Sequence, residues 1–392
     1  MAELFDQPEN CCGCSACKDI CPVSAIGFHR DEMGFEYPHI DTDKCIDCGL
    51  CLKVCDLKKD VDSAKNTKTI YAAKIKDDTV RMKSSSGGMF TAFSDYFLHN
   101  GGVIYGAAHN DKLETTHIRA VNSHDRDRCI GSKYVQSSLD GGIFTQIKND
   151  LNSGVEVFFT GTPCQVAGLH SYLKYSSCKT DKLLTADLVC HGVPSPMVYG
   201  EYIRFCEAKT HKKLKDYIHR PYAKIRYADG TEDNVNVSIV TVWAHLYYSH
   251  AMTRPACFRC KYTSPNRYGD ITIGDFWGLE NTMPDFCDDK GVSLLFLNTD
   301  KGIKIFDAIK QKLVVRESSF AACTPRNPNL LHPSVCKLDR EKFWTTYKEK
   351  GFEALARQYG GYGVKHEIKK CIKSILKKAH LLGAAKKIMQ RK

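Results

Sequence analysis

"CCGCSACKDICP", residues 11–22, and "CIDCGLCLKVCD", residues 45–56, decide the front of the fold. Each stretch contains cysteines with the spacing C-x2-C-x2-C-x3-C, so the chain carries an internal duplication. Zinc is the alternative occupant, but zinc takes four ligands, usually supplied as two separated pairs. Two complete runs of four thiols fit [4Fe-4S] clusters better.

The spacing also assigns each thiol to a cluster. Three thiolates two residues apart wrap one corner of a cluster in a tight loop, and the fourth, one helical step away, points at the other cluster. Residues 1–58 are therefore predicted to form a domain typical of two-cluster bacterial ferredoxins. The predicted ligands are Cys11, Cys14, Cys17 and Cys55 for one cluster, and Cys45, Cys48, Cys51 and Cys21 for the other.

Two residues depart from the ferredoxin pattern. Asp56 stands where a proline is expected after Cys55. A proline there shapes the chain but binds no metal, so we expect the cluster to form without it. Cys12 fits neither register, and we interpret it as a bystander thiol.

The composition indicates a reducing compartment. The 392 residues are 43% apolar, yet they contain no run of about 18 apolar residues, and the start "MAELFDQPEN" lacks the basic and apolar regions of a signal peptide. We therefore expect a cytoplasmic protein. In that setting, 20 cysteines indicate metal ligation or redox chemistry rather than disulfides.

Positive charge is concentrated at the C-terminus. The whole chain has a net charge of +11, but residues 364–392 hold ten Lys or Arg against one acid, so the body is nearly neutral and general nucleic-acid affinity is not expected. Residues 346–392 are predicted to form a basic amphipathic helical tail, with Ile368, Ile372 and Ile375 on its apolar face. Such a helix can lie on anionic lipid at the inner membrane surface, dock on an acidic partner or remain a solvated terminus.

Between these ends, β-rich runs alternate with helical segments, which predicts a mixed α/β body with a largely parallel sheet. Residues 59–69 are predicted to be a linker, residues 70–215 the α/β part of the body, and residues 216–345 an α+β part. A hairpin is expected within residues 223–240, turning at Asp229-Gly230. The predicted strands cover 69–75, 103–108, 155–160 and 182–190, and the predicted helices 87–102, 164–175 and 195–209.

Three loops of the body follow predicted strands, where α/β sheets bind ligands. "KSSSGGMF", residues 83–90, leads into a helix, whose N-terminal N–H groups and serine hydroxyls can bind phosphate; the same stretch also fits a plain capping turn. "FTGTPCQVAGL" contains Cys164, and "DLVCHGVPSP" contains Cys190. Taken singly, each of these cysteines fits a small buried side chain.

The pair Cys257-x-x-Cys260 follows in "ACFRCKY". Alone, it fits a redox dithiol or half of a zinc site. Together with Cys164 and Cys190, it supplies four thiols near ligand-binding strand ends. That number completes the ligand set of a third [4Fe-4S] cluster.

An ordered set of motifs resembles a known family. "SSSGG", "GSKYVQS" (131–137), "GTPCQVAGL", "CHGVPSP" and "GDITIGDFWG" (269–278) occur in this order. Over roughly residues 70–340, the chain is similar to the coenzyme F420 hydrogenase/dehydrogenase beta-subunit family. The resemblance implies a body that binds FAD, with a [4Fe-4S] cluster beside the flavin.

The same resemblance suggests roles for individual residues. Lys133 is either a neighbour of the flavin or a surface lysine. His191 either donates a hydrogen bond to a cluster sulfur or a proton to a flavin product, or is a structural histidine in a tight turn. Asp275 and Trp277 are expected to pack and to shape the site. The implied ligands of the body's cluster are Cys164, Cys190, Cys257 and Cys260, and the implied flavin loop comprises Ser84, Ser85, Ser86, Gly87 and Gly88.

The expected function is that of an iron–sulfur flavoprotein oxidoreductase. Electrons would pass between a soluble ferredoxin or a redox partner subunit and, through FAD, a small-molecule hydride acceptor or donor such as a deazaflavin. A non-catalytic iron–sulfur electron-transfer subunit and a zinc-binding protein are the alternatives. The substrate stays open, because members of one family act on different substrates.

Overall fold

The computed structural model describes residues 3–59, 67–219, 222–364, 366 and 368. Within these residues, no helix combines the length and the apolar character needed to cross a bilayer.

The strands are β1 (Ile26–Arg30), β2 (Glu36–Ile40), β3 (Thr69–Ile75), β4 (Val103–His109), β5 (Thr115–Ala120), β6 (Val157–Gly161), β7 (Leu183–Leu188), β8 (Leu214–Ile218), β9 (Lys224–Tyr227), β10 (Glu232–Asn234), β11 (Ile271–Asp275), β12 (Ser293–Leu297) and β13 (Leu313–Ser318). The helices are α1 (Ala16–Asp19), α2 (Leu50–Val54), α3 (Asp78–Lys83), α4 (Met89–His99), α5 (Ser123–Asp127), α6 (Ile143–Asn152), α7 (Pro163–Tyr175), α8 (Pro196–Thr210), α9 (Ser238–Ser249), α10 (Leu279–Thr282), α11 (Asp300–Ile309), α12 (Phe320–Cys323) and α13 (Arg340–Gln358).

Eight strands form the central sheet, in the order β13-β3-β12-β11-β7-β6-β4-β5. The middle strands β11, β7, β6 and β4 are parallel. At one margin β12, β3 and β13 join by antiparallel pairing, and at the other margin β5 does. The mixed α/β class is confirmed, but the expectation of a largely parallel sheet is wrong at both margins. At the first margin, strands from the last third of the chain pair with β3, and no local sequence pattern encodes such a distant pairing.

Helix α4 is anchored on the sheet by aromatic side chains. Phe93 and Phe97 of α4 pack on Phe158 of β6, with ring centroids 6.1 and 5.4 Å apart. All three rings are buried, and burial of such a side chain contributes about 2–3 kcal/mol. This packing holds the loop that precedes α4, residues 84–88, against the ends of the sheet strands.

The ferredoxin-like front packs on helix α7 of the body, and both belong to one compact unit. Ser171 of α7 donates a 2.7 Å hydrogen bond to the carbonyl of Val54 in α2. The N–H of Phe144, in the first turn of α6, donates a 3.0 Å hydrogen bond to Asp19 of α1. Through these contacts the two cysteine runs are held on the same scaffold as Cys164.

A second compact unit comprises the described residues of 201–218, 222–252 and 336–392. It contains a three-stranded sheet in the order β10-β9-β8. The expected hairpin is confirmed, because β9 and β10 pair antiparallel on either side of Asp229-Gly230. Inside this unit, Tyr202 stacks on Trp243 with centroids 5.7 Å apart.

The hairpin is shorter than expected, because residues 238–249 form helix α9 instead of a strand. Ile239, Trp243 and Leu246 of this helix are buried. Their spacing of four and three residues places them on one face of a helix. The packing of this face accounts for a helix in a stretch that is rich in β-branched residues.

The two units interleave along the chain. The first comprises the described residues of 1–200, 219–221 and 253–335, so two segments of the second unit lie in sequence between the neighbouring parallel strands β7 and β11, and its third segment follows β13. The expected parts, 70–215 and 216–345, were continuous in sequence, and the structure divides the chain differently. The tail expected over residues 346–392 starts inside α13, and its basic segment 369–392 lies outside the described residues.

Candidate functional site

Three cavities lined by cysteines lie in the first unit, and each contains one of the predicted sets of four ligands. The outer cavity, of about 360 Å³, is lined by Cys21, Cys45, Cys48 and Cys51. Backbone N–H groups point at two of these sulfurs: Ala25 N lies 3.2 Å from Cys21 Sγ, and Asp47 N lies 3.4 Å from Cys45 Sγ. Hydrogen bonds of this kind to cysteine sulfur are among the factors that set cluster potentials.

The inner cavity, of about 500 Å³, is lined by the four predicted ligands Cys11, Cys14, Cys17 and Cys55, and also by Cys12 and Cys51. Three of these thiols come from the first run and one from the second, which is the crossed arrangement predicted from the spacing. Burial raises the pKa of the Cys11, Cys17 and Cys55 thiols, so as free side chains these three would be protonated. A bound metal would favour the thiolate forms of these side chains.

The third cavity, of about 600 Å³, is lined by Cys164, Cys190, Cys257 and Cys260. Cys164 is the second residue of α7, where a capping box between Thr162 and Gln165 fixes the start of the helix. Cys190 follows β7, and the last two cysteines flank the end of a short 3-10 turn at Pro255–Arg259. Burial raises the pKa of Cys257 to about 12 and that of Cys260 to about 11.

The three cavities adjoin one another. Cys51 lines both the outer and the inner cavity. Cys12, Leu57 and Tyr262 line both the inner and the third cavity. Among the described residues, no three His, Cys, Asp or Glu side chains form a group that could hold a single metal ion.

Cys12 has closer neighbours than its position outside the cysteine register suggested. Its thiol lies within hydrogen-bonding reach of Cys14, a predicted ligand of the inner cavity, and of Cys164, a predicted ligand of the third. The hydrogen bond from Cys12 lowers the pKa of Cys164 to about 7. The cysteine interpreted as a bystander is therefore the fifth thiol around the third cavity, at the wall that this cavity shares with the inner one.

Asp56, the residue in place of the expected proline, connects the two cysteine runs to the body. Its carboxylate accepts a 2.9 Å hydrogen bond from the hydroxyl of Tyr262 and pairs with Lys261 at 3.2 Å. Lys261 also donates to the carbonyls of Asp56 and Lys59. A proline could make none of these side-chain contacts, so the aspartate in place of the expected proline stabilises the contact between this cysteine run and the body.

A buried ion pair holds the strand end that leads to Cys190. Asp187, at 0% exposure, accepts a 3.0 Å hydrogen bond from Arg267, whose guanidinium also donates to the carbonyls of Leu188 and Tyr262. The other oxygen of Asp187 accepts from the N–H of Gly269 at 3.0 Å. The pair thereby joins β7 to the loop that carries the third cavity's last two cysteines.

Gly168 leaves space for the ferredoxin-like domain, residues 3–58, to pack against α7. A Cβ atom added to Gly168, in the middle of α7, would lie 2.8 Å from Sγ of Cys14. Real Cβ atoms do not approach sulfur that closely, because the atoms would overlap. This contact explains the glycine in "GTPCQVAGL".

The serine–glycine loop before α4 has contacts that the sequence did not reveal. Ser84 Oγ is bonded to the carbonyl of Val80 and to Thr91 Oγ1, at 2.9 and 2.7 Å. Gly87 is required by the sheet itself, because an added Cβ would lie 2.1 Å from the carbonyl oxygen of Ala73. Ser86 Oγ differs from these atoms, since it is buried and no described residue forms a hydrogen bond with it.

The "GSKY" loop faces the serine–glycine loop. A Cβ atom placed on Gly131 would meet only Ser85 Oγ, at 3.8 Å. Lys133 is half-buried, and its Nζ donates to the carbonyls of Ile130 and Gly131 at 2.8 and 3.1 Å. The ammonium group of Lys133 therefore stabilises the loop to which it belongs. Burial, and in addition the positive charge of Lys133, lowers the pKa of His109.

The remaining candidates lie at the ends of strands β7 and β11. His191 is half-buried beside Cys190, and its carbonyl accepts a 2.8 Å hydrogen bond from Ser334, a residue that lines the third cavity. Asp275 ends β11, and its carbonyl accepts a 3.0 Å hydrogen bond from the N–H of Trp277. Trp277 is 37% exposed.

Comparison with known proteins identifies two parts of the chain. Residues 10–58 match the family model of the 4Fe-4S dicluster domain. Residues 155–322 match the family model of the C-terminal part of the coenzyme F420 hydrogenase/dehydrogenase beta subunit.

The chain joins a 4Fe-4S dicluster domain to a domain of the F420 hydrogenase/dehydrogenase beta-subunit family. The matches confirm the resemblance within residues 10–58 and 155–322, whereas the motifs "SSSGG" and "GSKYVQS" lie outside the matched residues. The protein is accordingly an iron–sulfur redox protein related to this oxidoreductase family.

Individual relatives cover the two domains to different extents. A coenzyme F420-dependent sulfite reductase of Methanocaldococcus jannaschii is 25% identical over 321 residues, which are 77% of this chain and 46% of that protein. The chain thus spans about half the length of this relative. An uncharacterized ferredoxin of the same organism is 46% identical over 44 residues, 11% of this chain and 24% of that one. Among solved structures, a chain of the xenon-derivatized F420-reducing [NiFe] hydrogenase complex from Methanosarcina barkeri is 18% identical, with a TM-score of 0.49 over 78% of this chain and 97% of that chain.

Proposed function

We propose that this protein is an iron–sulfur flavoprotein oxidoreductase with three [4Fe-4S] clusters and one FAD. It exchanges electrons with a ferredoxin-type carrier or a partner subunit at the front and with a small two-electron substrate in the body. The single observation that carries the proposal is the row of three adjoining cavities, each of which is lined by the four cysteines expected to bind one cluster.

The chemistry of the donors fits the proposed clusters. The twelve predicted ligands are all thiols, the ligands that [4Fe-4S] clusters require, and each cavity includes one predicted set of four. Asp56 with Tyr262, and Asp187 with Arg267, hold the loops around the third cavity in place. Such supporting contacts are needed for a metal site of defined geometry.

The serine–glycine loop fits the phosphate or ribityl part of FAD. Helix α4 begins at Met89, so the free N–H groups of its first turn follow directly on the loop. Ser86 offers a buried hydroxyl that forms no hydrogen bond with any described residue, and the facing loop at Gly131 leaves space beside Ser85. A buried polar atom without a partner costs about 1–3 kcal/mol, which a bound ligand would offset.

The clusters would supply one-electron transfer, and FAD would supply the conversion between single electrons and hydride. Among the substrates to be tested are a deazaflavin and sulfite, because one relative is named an F420-dependent sulfite reductase. Since this chain spans 46% of that relative, the substrate is not assigned further.

Anaerobic purification and metal analysis test the proposal. We expect about twelve iron and about twelve acid-labile sulfide per chain for three clusters, and one FAD after reconstitution. Zinc in place of iron would contradict it. Reduction of the bound flavin by a reduced ferredoxin, followed by a screen of two-electron acceptors, tests the activity.

A second function, electron delivery to a separate catalytic subunit, is favoured by the 46% coverage of the sulfite reductase. In that case the chain would bind clusters but would turn over no small acceptor alone. Full iron content with no FAD after reconstitution would support this second function and exclude the first.

A further inference from the structure

The guanidinium of Arg254 is fully buried beside the inner cavity, at 0% exposure. Its Nε donates to the carbonyl of Cys11 at 2.8 Å, and its Nη2 lies 3.7 Å from Cys11 Sγ. Nη2 also donates to the carbonyl of Glu36 at 2.9 Å, and Nη1 donates to Oε1 of Gln136 at 3.1 Å. The guanidinium lies over the ring of Tyr37, 4.4 Å from its centroid.

None of these partners is a carboxylate. Within residues 3–59, 67–219 and 222–364, no Asp or Glu side chain forms an ion pair with Arg254. The contrast is Arg267, which is also buried but pairs with Asp187 at 3.0 Å. A buried charge without a counter-charge costs several kcal/mol, so such groups are normally paired.

The groups that interact with the Arg254 charge are Tyr37 and the thiols of Cys11, Cys12 and Cys257, and among these thiols Cys11 accepts a hydrogen bond from Nη2. A cluster with four thiolate ligands carries net negative charge, and its potential depends on nearby charges and on hydrogen bonds to the sulfurs. The cationic Nη2 lies beside Cys11 Sγ, in a region shielded from water. A cation in that position favours the reduced cluster, which has one more negative charge than the oxidised cluster.

We propose that Arg254 is the counter-ion of the cluster held by Cys11, Cys14, Cys17 and Cys55, and that its charge raises the reduction potential of this cluster. The inference rests on the ligand assignment of the ferredoxin domain and not on FAD. Arg254 is a positioning residue, because it acts through Cys11. It also precedes the 3-10 turn that carries Cys257, so one loop serves both the inner and the third cavity.

Potentiometric titration of the cluster-loaded full chain, followed by EPR, tests the proposal. Arg254→Gln should shift the midpoint potential of the inner cluster to a more negative value and leave the outer cluster unchanged. Arg254→Lys retains the charge and should show a smaller shift. The matched control is Arg30→Gln in the same module, because the side chain of Arg30 is 65% exposed and its charge is screened by water.

Unchanged potentials in an Arg254→Gln protein with full iron would overturn the proposal. Equal shifts in the Gln and Lys variants would also overturn it, because they would show an effect of geometry rather than charge. If Arg254→Gln loses the inner cluster, Gln136→Glu provides the second test. It places a carboxylate on Nη1, neutralises the guanidinium and should lower the same potential; no shift would count against the inference.

EPR of cysteine variants tests the ligand assignment on which this inference rests. Cys11→Ser should remove the EPR signal that responds to Arg254, and Cys45→Ser should remove the signal of the outer cluster. If Cys11→Ser leaves the responsive signal intact, the ligand assignment fails and the role of Arg254 fails with it. That result would leave the FAD proposal untouched.

Discussion

The hydroxyl of Tyr262 donates a 2.9 Å hydrogen bond to Oδ2 of Asp56, which joins the second cysteine run to the loop of Cys260. Tyr262 is only 2% exposed and lines both the inner and the third cavity. Asp56 stands where the ferredoxin pattern has a proline. This one difference adds a side-chain contact between the ferredoxin-like domain and the body.

Removal of this hydroxyl should loosen the junction. Tyr262→Phe keeps the ring but takes one hydrogen-bond donor from a charged acceptor, which should lower the free energy of unfolding by about 1–3 kcal/mol. Anaerobic urea unfolding, followed by the iron–sulfur absorbance, measures the change. Tyr175→Phe, at a ring that is 37% exposed, is the control and should have little effect.

The proline of the ferredoxin pattern gives a second variant at the same junction. Asp56→Pro removes the partners of both Tyr262 and Lys261, so it should destabilise the protein more than Tyr262→Phe does. A neutral or stabilising Asp56→Pro would show that the junction contributes nothing.

Local patterns predicted most of the elements that frame the site. Strands β3, β4, β6 and β7 and helices α4 and α7 were expected because their apolar periodicity and caps are local signals. The buried partners were not predicted, because Asp187 and Arg267 are 80 residues apart in sequence. The role of Arg254 was not predicted for the same reason. Its partners Cys11 and Gln136 are distant in sequence, and neither is an acidic residue that would suggest a partner for an arginine.

His117 should make the fold sensitive to acid. Its Nε2 lies 3.0 Å from the carbonyl of Thr160, its ring stacks on Phe159, and burial lowers its pKa to about 4. Because the folded pKa is below the unfolded value of about 6.5, the unfolded state binds more protons between these values, and stability falls as the pH falls from 6.5 towards 4.

At pH 5 this loss should be about 2 kcal/mol relative to pH 7. His117→Asn removes the titration, so the difference in unfolding free energy between pH 7 and pH 5 should be smaller in the variant than in the wild type. His124→Asn is the control, because that side chain is 92% exposed. An unchanged pH dependence in His117→Asn would contradict the prediction.

Ser86 and Ser84 offer a matched pair for the proposed flavin loop. Ser86→Ala should weaken FAD binding several-fold, because the buried hydroxyl without a protein partner is free for the ligand. Ser84→Ala breaks bonds to Val80 and Thr91 and should change stability but not FAD affinity. Equal FAD affinity in the wild type and in Ser86→Ala would move the flavin away from this hydroxyl.

Gly88→Val is a less informative test of the same loop. Gly88 has a φ of +85°, and an added Cβ would lie 2.7 Å from Cδ1 of Ile75. Valine would therefore strain the turn whether or not FAD binds there. Loss of FAD in that variant could not be assigned to the ligand contact.

The cysteines outside the three sets are expected to be dispensable for iron content. Cys323 is the best control among them, because it is fully buried in a hydrophobic cluster of the first unit and its Sγ donates to the carbonyl of Phe320 at 3.4 Å. The dispensable cysteines are Cys129, Cys178, Cys206, Cys287, Cys323, Cys336 and Cys371.

The third cluster makes the most specific prediction about metal content. Cys257→Ser should lower the iron content from about twelve to about eight per chain, because one cavity loses a ligand while the two ferredoxin cavities keep theirs. Cys323→Ala should retain about twelve iron, and so should Cys12→Ala, since the third cavity keeps four thiols without Cys12. Iron and acid-labile sulfide analysis of anaerobically purified variants measures the difference. If Cys12→Ala loses about four iron and Cys164→Ala loses none, Cys12 replaces Cys164 as the fourth ligand of this cavity.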